Sequence, residues 1–453
     1  MKKITDIMKA ENNRKKNIRV YIATLIAVQM LMVPLAGCAA SNCAASNSAA
    51  SVSQTSAAAA SVITLQDGES STAVSTVSQS SQGSLSADDL FSERDLAQTA
   101  DLSEAKTLTL KSGSNITITE AGIYLIKGSA TDAAIIVDAD SGDKVQIVLD
   151  GVTVTNTDFP CVYVKQADKV FITLTGENSL SVTGTFQTDG DTKTDGVIFS
   201  KDDLVLNGTG SLTVSPTDNG IVGKDDVKFT GGSYTITAAS KAVEANDSIR
   251  IADGTFNLKA GTDGLHSENS DDDTLGYIYI SGGTFSISAG DDGIHGTSLV
   301  QIDGGNFTVS GAECIEGTYI QINDGTFNLS SWDDGINAAK KSSAYATPTV
   351  EINGGNITIN MSAGDTDGID SNGDIIVNGG TISVNGNSTF DYDGTAQFNG
   401  GTIYCNGQQV TAIPNQMMGG GRGGMNGGNM GGNMGGMNGM NGGHGGRMGG
   451  GRG

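Results

Sequence analysis

Carboxylates and imidazoles recur along this chain in a fixed pattern. Asp263-Gly264-Leu265-His266, Asp291-Asp292-Gly293-Ile294-His295, Glu313-Cys314-Ile315-Glu316, Asp333-Asp334-Gly335-Ile336-Asn337 and Asp367-Gly368-Ile369-Asp370 follow one another. Each unit carries an acid, then a ligand-type side chain three residues on. Oxygen donors of this kind suit hard cations, Ca²⁺ above all. Asp-Gly is also ordinary turn chemistry, with the Asp bonding its own backbone, and for any single pair that reading stands beside the metal. The doubled acids at Asp291-Asp292 and Asp333-Asp334 favour Ca²⁺ for the array. His266 and His295 add imidazole, a Zn²⁺ ligand, but acids surround them and no cysteine adjoins, which favours the harder ion.

Side chains so spaced need a repeating scaffold. The second glycine of each unit falls at Gly210, Gly232, Gly254, Gly283, Gly305, Gly325, Gly355, Gly380 and Gly401, at spacings of 22, 22, 29, 22, 20, 30, 25 and 21 residues. A period in this range marks a solenoid. Around each glycine apolar and polar residues alternate, as in Ile249-Arg250-Ile251 and Phe256-Asn257-Leu258. Period-two alternation predicts strands with one buried face, and the glycines mark bends between them. Strand, bend, strand, turn and strand within one repeat describe one coil of a single-stranded parallel β-helix.

Coils stacked about 4.8 Å apart place equivalent residues in columns. Tyr234, Phe256, Phe285, Phe307 and Phe327 form an internal aromatic column, continued by Ile357, Ile382 and Ile403; its role is stability. A second column reads Asp195, Asn219, Lys241, Asp263, Asp292, Glu313, Asp334, Asp367. Three residues on, a third reads Ile198, Val222, Glu244, His266, His295, Glu316, Asn337, Asp370. Stacked like charges repel unless a cation or proton sits among them. Three coils carry insertions, at 187–194, 267–276 and 338–348, and solenoid insertions gather on one face, often the binding face. The last brings Lys340, Lys341 and Tyr345 as candidate carbohydrate contacts. Trp332, beside Asp333-Asp334, could stack on a sugar ring, although partial burial in the core is the commoner fate of such a residue.

The flanks are of other kinds. Residues 1–38 are a basic start, an apolar run over 20–35 and Leu35-Ala36-Gly37-Cys38, which resembles a bacterial lipoprotein signal. It implies a lipid on Cys38, and the run is short for a spanning helix. Residues 39–90 are rich in Ala, Ser and Thr and read as a flexible tether; Cys43 within it is either a second lipidation site or an exposed thiol. A short helix over 86–99 is expected to cap the open end of the solenoid. Residues 91–413 form the β-helix. The tail, 414–453, holds eight of the 13 Met residues among Gly and Asn, has no means of forming a core and is expected to be disordered; thioether metal binding and wall association stay open for it.

Cys161 and Cys314 fall in the column otherwise filled by glycine, about six coils apart, far beyond disulfide reach, so both are expected as buried thiols. Formal net charge is −24, and −29 without residues 1–38 (19 basic residues against 48 acidic). Such a surface repels nucleic acid and anionic lipid, and an acidic polysaccharide too unless divalent ions bridge the two.

Ala167-Asp168-Lys169-Val170-Phe171-Ile172-Thr173-Leu174, Phe199-Ser200-Lys201-Asp202-Asp203-Leu204-Val205-Leu206-Asn207-Gly208 and the Gly-Gly-Thr-Phe…Asp-Gly-Ile repeats resemble the bacterial carbohydrate-binding-domain proteins typified by a clostridial pectin-binding surface protein. The resemblance covers about residues 91–413 and implies a right-handed parallel β-helix with bound calcium, similar in shape to pectate lyases, that binds polygalacturonate without cleaving it. It implies calcium ligands at Asp263, Asp292, Asp334, Asp367 and Asp370; Asp291, Glu313, Glu316 and Asp333 complete the candidate metal set. Lys241, in place of an acid, and Glu313-Cys314-Ile315-Glu316, without Asp-Gly, break a continuous metal column.

The resulting expectation is a non-catalytic, calcium-loaded module for acidic polysaccharide, lipid-anchored on the outer face of a bacterial membrane. A calcium-dependent lyase is the enzymatic alternative, which needs a Lys or Arg base, and Lys241 is the candidate in the acid column. A surface spacer or adhesin with structural calcium is the third reading.

Overall fold

The computed structural model describes residues 85–363 and 366–416. The signal segment with Cys38, the tether with Cys43 and the Gly/Met/Asn-rich tail lie outside the described residues. Those described are all-β, with 34 strands in one sheet and two single-turn helices. Every strand pairing is parallel except the last, where Thr402–Cys405 meets Gln408–Val410.

Connectivity follows from the repeat. Along most of the chain each strand pairs with the third strand after it, so the backbone returns to the same place once per coil. A first face stacks Ser233–Thr237, Thr255–Lys259 and Thr284–Ser288. A second stacks Asn219–Gly223, Val243–Ala245 and Leu265–Ser267. A third stacks Asp226–Phe229, Ser248–Ile251 and Tyr277–Ile280. Ile294–Ile302 and Ile315–Ile322 turn the corner between the second and third faces without a break. This is a solenoid-like coil stack, as the 22-residue spacing requires.

Inward residues of the three faces form one hydrophobic core. On the first face the predicted aromatic column is present. The Phe256, Phe285, Phe307 and Phe327 rings lie within 3° of parallel at centroid spacings of 4.6–4.8 Å, and Ile357, Ile382 and Ile403 continue them. Each such side chain contributes about 1.5–3 kcal/mol by burial. The marker glycine makes the stack possible: Gly283 has φ +115°, and a Cβ there would lie 3.0 Å from the Gly254 carbonyl. At the corner between third and first faces an amide column, Asn323, Asn353, Asn378 and Asn399, passes hydrogen bonds of 2.7–2.8 Å from coil to coil.

Two expectations need correction. The register slips by one residue at the first regular coil: Asn219 stands opposite Gly196, not Asp195, and Val222 opposite Phe199, not Ile198. The coil carrying the 187–194 insertion enters its strand one residue later than the Asp-Gly step suggests. The segment expected to cap the solenoid end instead lies along its side. Its helices α1 (Ala87–Leu90) and α2 (Glu93–Leu96) run across the outside of the third face. Leu85 exchanges hydrogen bonds of 2.8 and 3.0 Å with Gln301. Phe91 packs 6.2 Å from the Tyr279 ring, and Arg94 sits over Phe171. Asp95, buried, lies 3.2 Å from Lys228 Nζ. The third face presents Phe171, Val205 and Tyr279 outward among polar residues, and covering that apolar surface decides where the segment goes.

Candidate functional site

The site is built on the outside of the second face. Two columns supply it, one at the corner where the chain enters the face and one in the strands three residues later. The strand column reads Tyr163, Phe199, Val222, Glu244, His266, His295, Glu316, Asn337, Asp370, Asp391. Strand residues point alternately in and out, so while Ile198, Ile221, Val243, Leu265 and Ile294 enter the core, these neighbours face outward. At the corner, Asn219, Lys241, Asp263, Asp292, Glu313, Asp334 and Asp367 stack as expected; from Lys241 onward each carbonyl accepts from an N–H of the coil before it, while Asn219 donates its N–H to the Asp195 carbonyl.

All three insertions border this face. Residues 187–194 rise at its first-face side, and 267–276 and 338–348 at its third-face side. The latter two touch, through Ser342 Oγ donating to the Asp273 carbonyl at 2.6 Å.

The middle coils hold the histidines. His295 Nδ1 lies 2.8 Å from Asp292 Oδ2 and 2.7 Å from Glu316 Oε2. Glu316 also takes Lys341 Nζ on Oε1 at 2.7 Å. His266 Nδ1 is 2.8 Å from Asp263 Oδ2, out of line for a hydrogen bond, and the two imidazole centroids are 4.7 Å apart. Burial opposes charge on His295, yet Asp292 and Glu316 hold it up to about 10. Burial also pushes Glu316 up, but His295 and Lys341 bring it well below the carboxylate range. Asp292 is pushed up by burial and by its acidic neighbours. Here Asp292 and Glu316 share a cation that the chain itself supplies.

The later coils differ. Burial and the charge of Glu316 push Glu313 up; burial and neighbouring carboxylates push Asp334 up to about 6 and Asp370 up to about 7. Among the described residues no Lys, Arg or His comes within ion-pair distance of Glu313, Asp334, Asp370 or Asp391. Asp391 extends the column by one coil beyond the sequence reading. It stands in Ser388-Thr389-Phe390-Asp391, where no Asp-Gly marks the turn, and only its apolar-acid alternation could have flagged it.

Among the described residues, three groups bring ligand atoms within 4.8 Å of one another: Asp263, Asp291 and Asp292; Asp292, His295 and Glu316; and Asp203, Asp225 and Asp226. Glu313, Asp333, Asp334, Asp367 and Asp370 are not gathered so tightly among the described residues. The third group was not singled out from sequence, although the doublets Asp202-Asp203 and Asp225-Asp226 could have signalled it. It sits at the edge of the third face with Lys169 3.5 Å from Asp203 and Arg250 2.8 Å from Asp226.

The remaining candidates separate. Trp332 is 50% exposed, so the expectation of partial burial in the core is corrected: its corner position leaves the ring outside the coil. Lys341 is engaged by Glu316. Lys340 donates to the Tyr345 and Ala346 carbonyls, and the Tyr345 ring lies 4.9 Å from that of Tyr319, so both build the loop as well as face outward. Lys241 Nζ is 3.6 Å from Glu244 Oε2, at one side of an open cleft of about 300 Å³ that also involves His266 and Glu268. Cys161 and Cys314 are buried, unbridged thiols, both pushed up to about 12 by burial.

A family model described as carbohydrate-binding domain-containing protein matches residues 112–317 and 311–409, nearly the whole coil stack. The chain belongs to that family. A protein of the same description from Acetivibrio thermocellus is 37% identical over 122 residues, or 26% of this chain and 43% of the relative. The match thus spans less than half the length of that relative. A solved structure described as the polysaccharide lyase-like protein from C. thermocellum, a gadolinium derivative, superposes with a TM-score of 0.40 at 24% identity, over 64% of this chain and 99% of the other.

Proposed function

We propose that this carbohydrate-binding protein is a cell-surface lipoprotein whose right-handed parallel β-helix, loaded with Ca²⁺, holds acidic polysaccharide of the polygalacturonate class without cleaving it. The observation that carries this reading is the set of half-buried carboxylates Glu313, Asp334, Asp370 and Asp391 along the outside of the second face, with no Lys, Arg or His at ion-pair distance among the described residues. Stacked carboxylates raised in this way must take up protons or a cation, and a divalent ion among them would also attract a uronate.

The residues present fit calcium. Asp263, Asp291 and Asp292 converge with oxygen donors only, which suits a hard ion; Asp334, Asp367, Asp370 and Asp391 offer a second oxygen-rich stretch. The Asp292–His295–Glu316 group fits less well, since its imidazole nitrogen is already occupied by two carboxylates. Bound calcium would supply the positive charge that a polyanionic glycan needs on a polyanionic protein. The exposed Trp332 ring, beside Asp333 and Asp334, offers a stacking platform for a sugar at the edge of the acid stretch.

Binding is favoured over lyase chemistry by the state of Lys241. Its Nζ lies 3.6 Å from Glu244 Oε2, and a side chain tied to a carboxylate of its own coil is not free to reach a sugar carbon as a base. The same reading places the lipid on Cys38 and the coils outside the cell, so Cys38→Ser should release the protein from the membrane fraction.

Affinity electrophoresis through polygalacturonate, with Ca²⁺ and with EDTA, tests the function while absorbance follows unsaturated uronide. Stronger retardation with Ca²⁺ and flat absorbance is the expected result. Rising absorbance would make the protein a lyase. Calcium-dependent melting without any retardation would leave a spacer or adhesin.

A further inference from the structure

The corner between the second and third faces carries a column that the acid reading does not use. It reads Lys165, Lys201, Lys224, Asn246, Glu268, Thr297, in register through the strands that precede it. Three lysines thus stack on three successive coils, about 4.8 Å apart, in a chain of net charge −24. Like charges so placed repel.

These lysines have a firm base. Beneath them Tyr163, Phe199 and Val222 form a small apolar cluster outside the main core, fully buried, with Phe159 packed against it. Lys165 and Lys201 lie 5.6 and 5.9 Å from the Tyr163 ring centre, and Lys224 lies 5.7 Å from that of Phe199. The aromatic rings support the aliphatic stems and leave the ammonium heads at the surface. Partners are few. Lys165 meets Asp189 at 2.9 Å and Lys224 meets Glu244 at 3.3 Å, while Lys201 has no ion pair among the described residues.

We infer that this lysine column is a second, calcium-independent contact for an acidic carbohydrate, taking fixed anionic groups of a chain laid along the coil axis. A polymer with one carboxylate per sugar matches a row of cations with one per coil, and the family is carbohydrate-binding. Ionic strength near physiological confines the repulsion of the whole protein to about 8 Å, so a local basic strip can act within an acidic molecule. The inference rests on the acidic-glycan reading above and adds a site to it.

The test uses the full chain and the same electrophoresis at two salt concentrations. Lys165→Gln, Lys201→Gln and Lys224→Gln are combined in one variant, with circular dichroism as the check on folding. The single Lys201→Gln variant breaks no ion pair, the triple Lys→Arg variant keeps the charge, and Lys259→Gln on the first face is the control. Wild type should be retarded weakly but measurably in EDTA, more so at low salt. The triple Gln variant should lose about tenfold in affinity in both buffers, as expected for three exposed ion pairs. Lys201→Gln alone should lose about twofold, with the Arg variant and Lys259→Gln retained as wild type. Retardation of wild type only with Ca²⁺, or a folded triple Gln variant retarded like wild type, would overturn the lysine column and leave the calcium reading standing. No retardation of wild type in either buffer would defeat the glycan reading, and this one with it.

Discussion

The two halves of the second face share one backbone register and differ in what they point outward. In the early coils the strand column is Tyr163, Phe199 and Val222, roofed over and flanked by lysines. From Glu244 onward it is acid, imidazole or amide, and the adjoining corner turns acidic at Asp263. The crossing point is the coil of Lys241 and Glu244, where Lys224 and Lys241 both reach the same carboxylate at 3.3 and 3.6 Å. The inward residues hardly change across this boundary. Stability and function are therefore written on alternate residues of the same strands, and one can vary without the other.

Substitutions on the two halves should respond differently to calcium. The largest effect is expected at Phe199→Ala. It empties a fully buried position and should cost about 3–5 kcal/mol in urea unfolding, by the same amount in Ca²⁺ and in EDTA. A cost that calcium removed would couple the halves and break the comparison.

His295→Ala comes next. It leaves Asp292 and Glu316 facing each other, buried, without their shared cation. A loss of about 3 kcal/mol is expected without metal, and part of it should return if calcium takes the place of the imidazole. Identical melts for variant and wild type in EDTA would show that the His295 contacts add nothing to stability.

In the later coils, Asp334→Asn with Asp370→Asn should relieve repulsion in EDTA and remove the part of the calcium-induced rise in stability that these coils supply. That rise is expected to reach about 2.7 kcal/mol at a hundredfold excess over the dissociation constant. A double variant that gains as much from calcium as wild type would move the ion elsewhere.

A pH series in EDTA separates the middle from the later coils. Asp370, ordinarily near 3.8, is pushed up to about 7 by burial and its acidic neighbours. A raised acid favours the folded state while protonated, so its contribution is present below about pH 4 and is lost as pH climbs through 7. His295, raised from 6.5 to about 10 against the effect of burial, contributes fully below about pH 6.5 and is lost as pH climbs through 10. Metal-free protein should therefore lose stability in two stages, the first removed by Asp370→Asn and the second by His295→Ala. A single stage common to both variants would deny the division.

The smallest effect is expected at Tyr163→Phe, which removes a 3.0 Å hydrogen bond to Asp189 and should cost about 1 kcal/mol with no change in calcium response. It asks whether the 187–194 insertion is held down by that contact.

The coil, the aromatic column and the acid stack were legible in the sequence because stacked coils repeat the same side-chain requirement. Gly-Gly-Thr-Phe and Asp-Gly-Ile each state their column without reference to any distant residue, and the columns from Asn219 to Asp367 and from Glu244 to Asp370 stand as read. Where a coil departs from the motif the reading weakened. Asp195 stands one residue out of register with its column, because an insertion that no repeat describes precedes it. Asp391 carries no motif of its own, because its turn has Ser-Thr in place of Asp-Gly.

What the chain determined by itself was periodicity: which residues alternate inward and outward, which stack on their own kind, and where the coil is interrupted. Only the tertiary structure decided the relations between different columns. Lys341 pairing with Glu316, the lysines over Tyr163 and Phe199, the exposure of Trp332 and the N-terminal segment laid along the third face all join residues from separate parts of the repeat, in the last case more than a hundred residues apart. Repetition in a sequence reports what is the same from coil to coil; contacts made by insertions and flanks are each made once, and no period announces them.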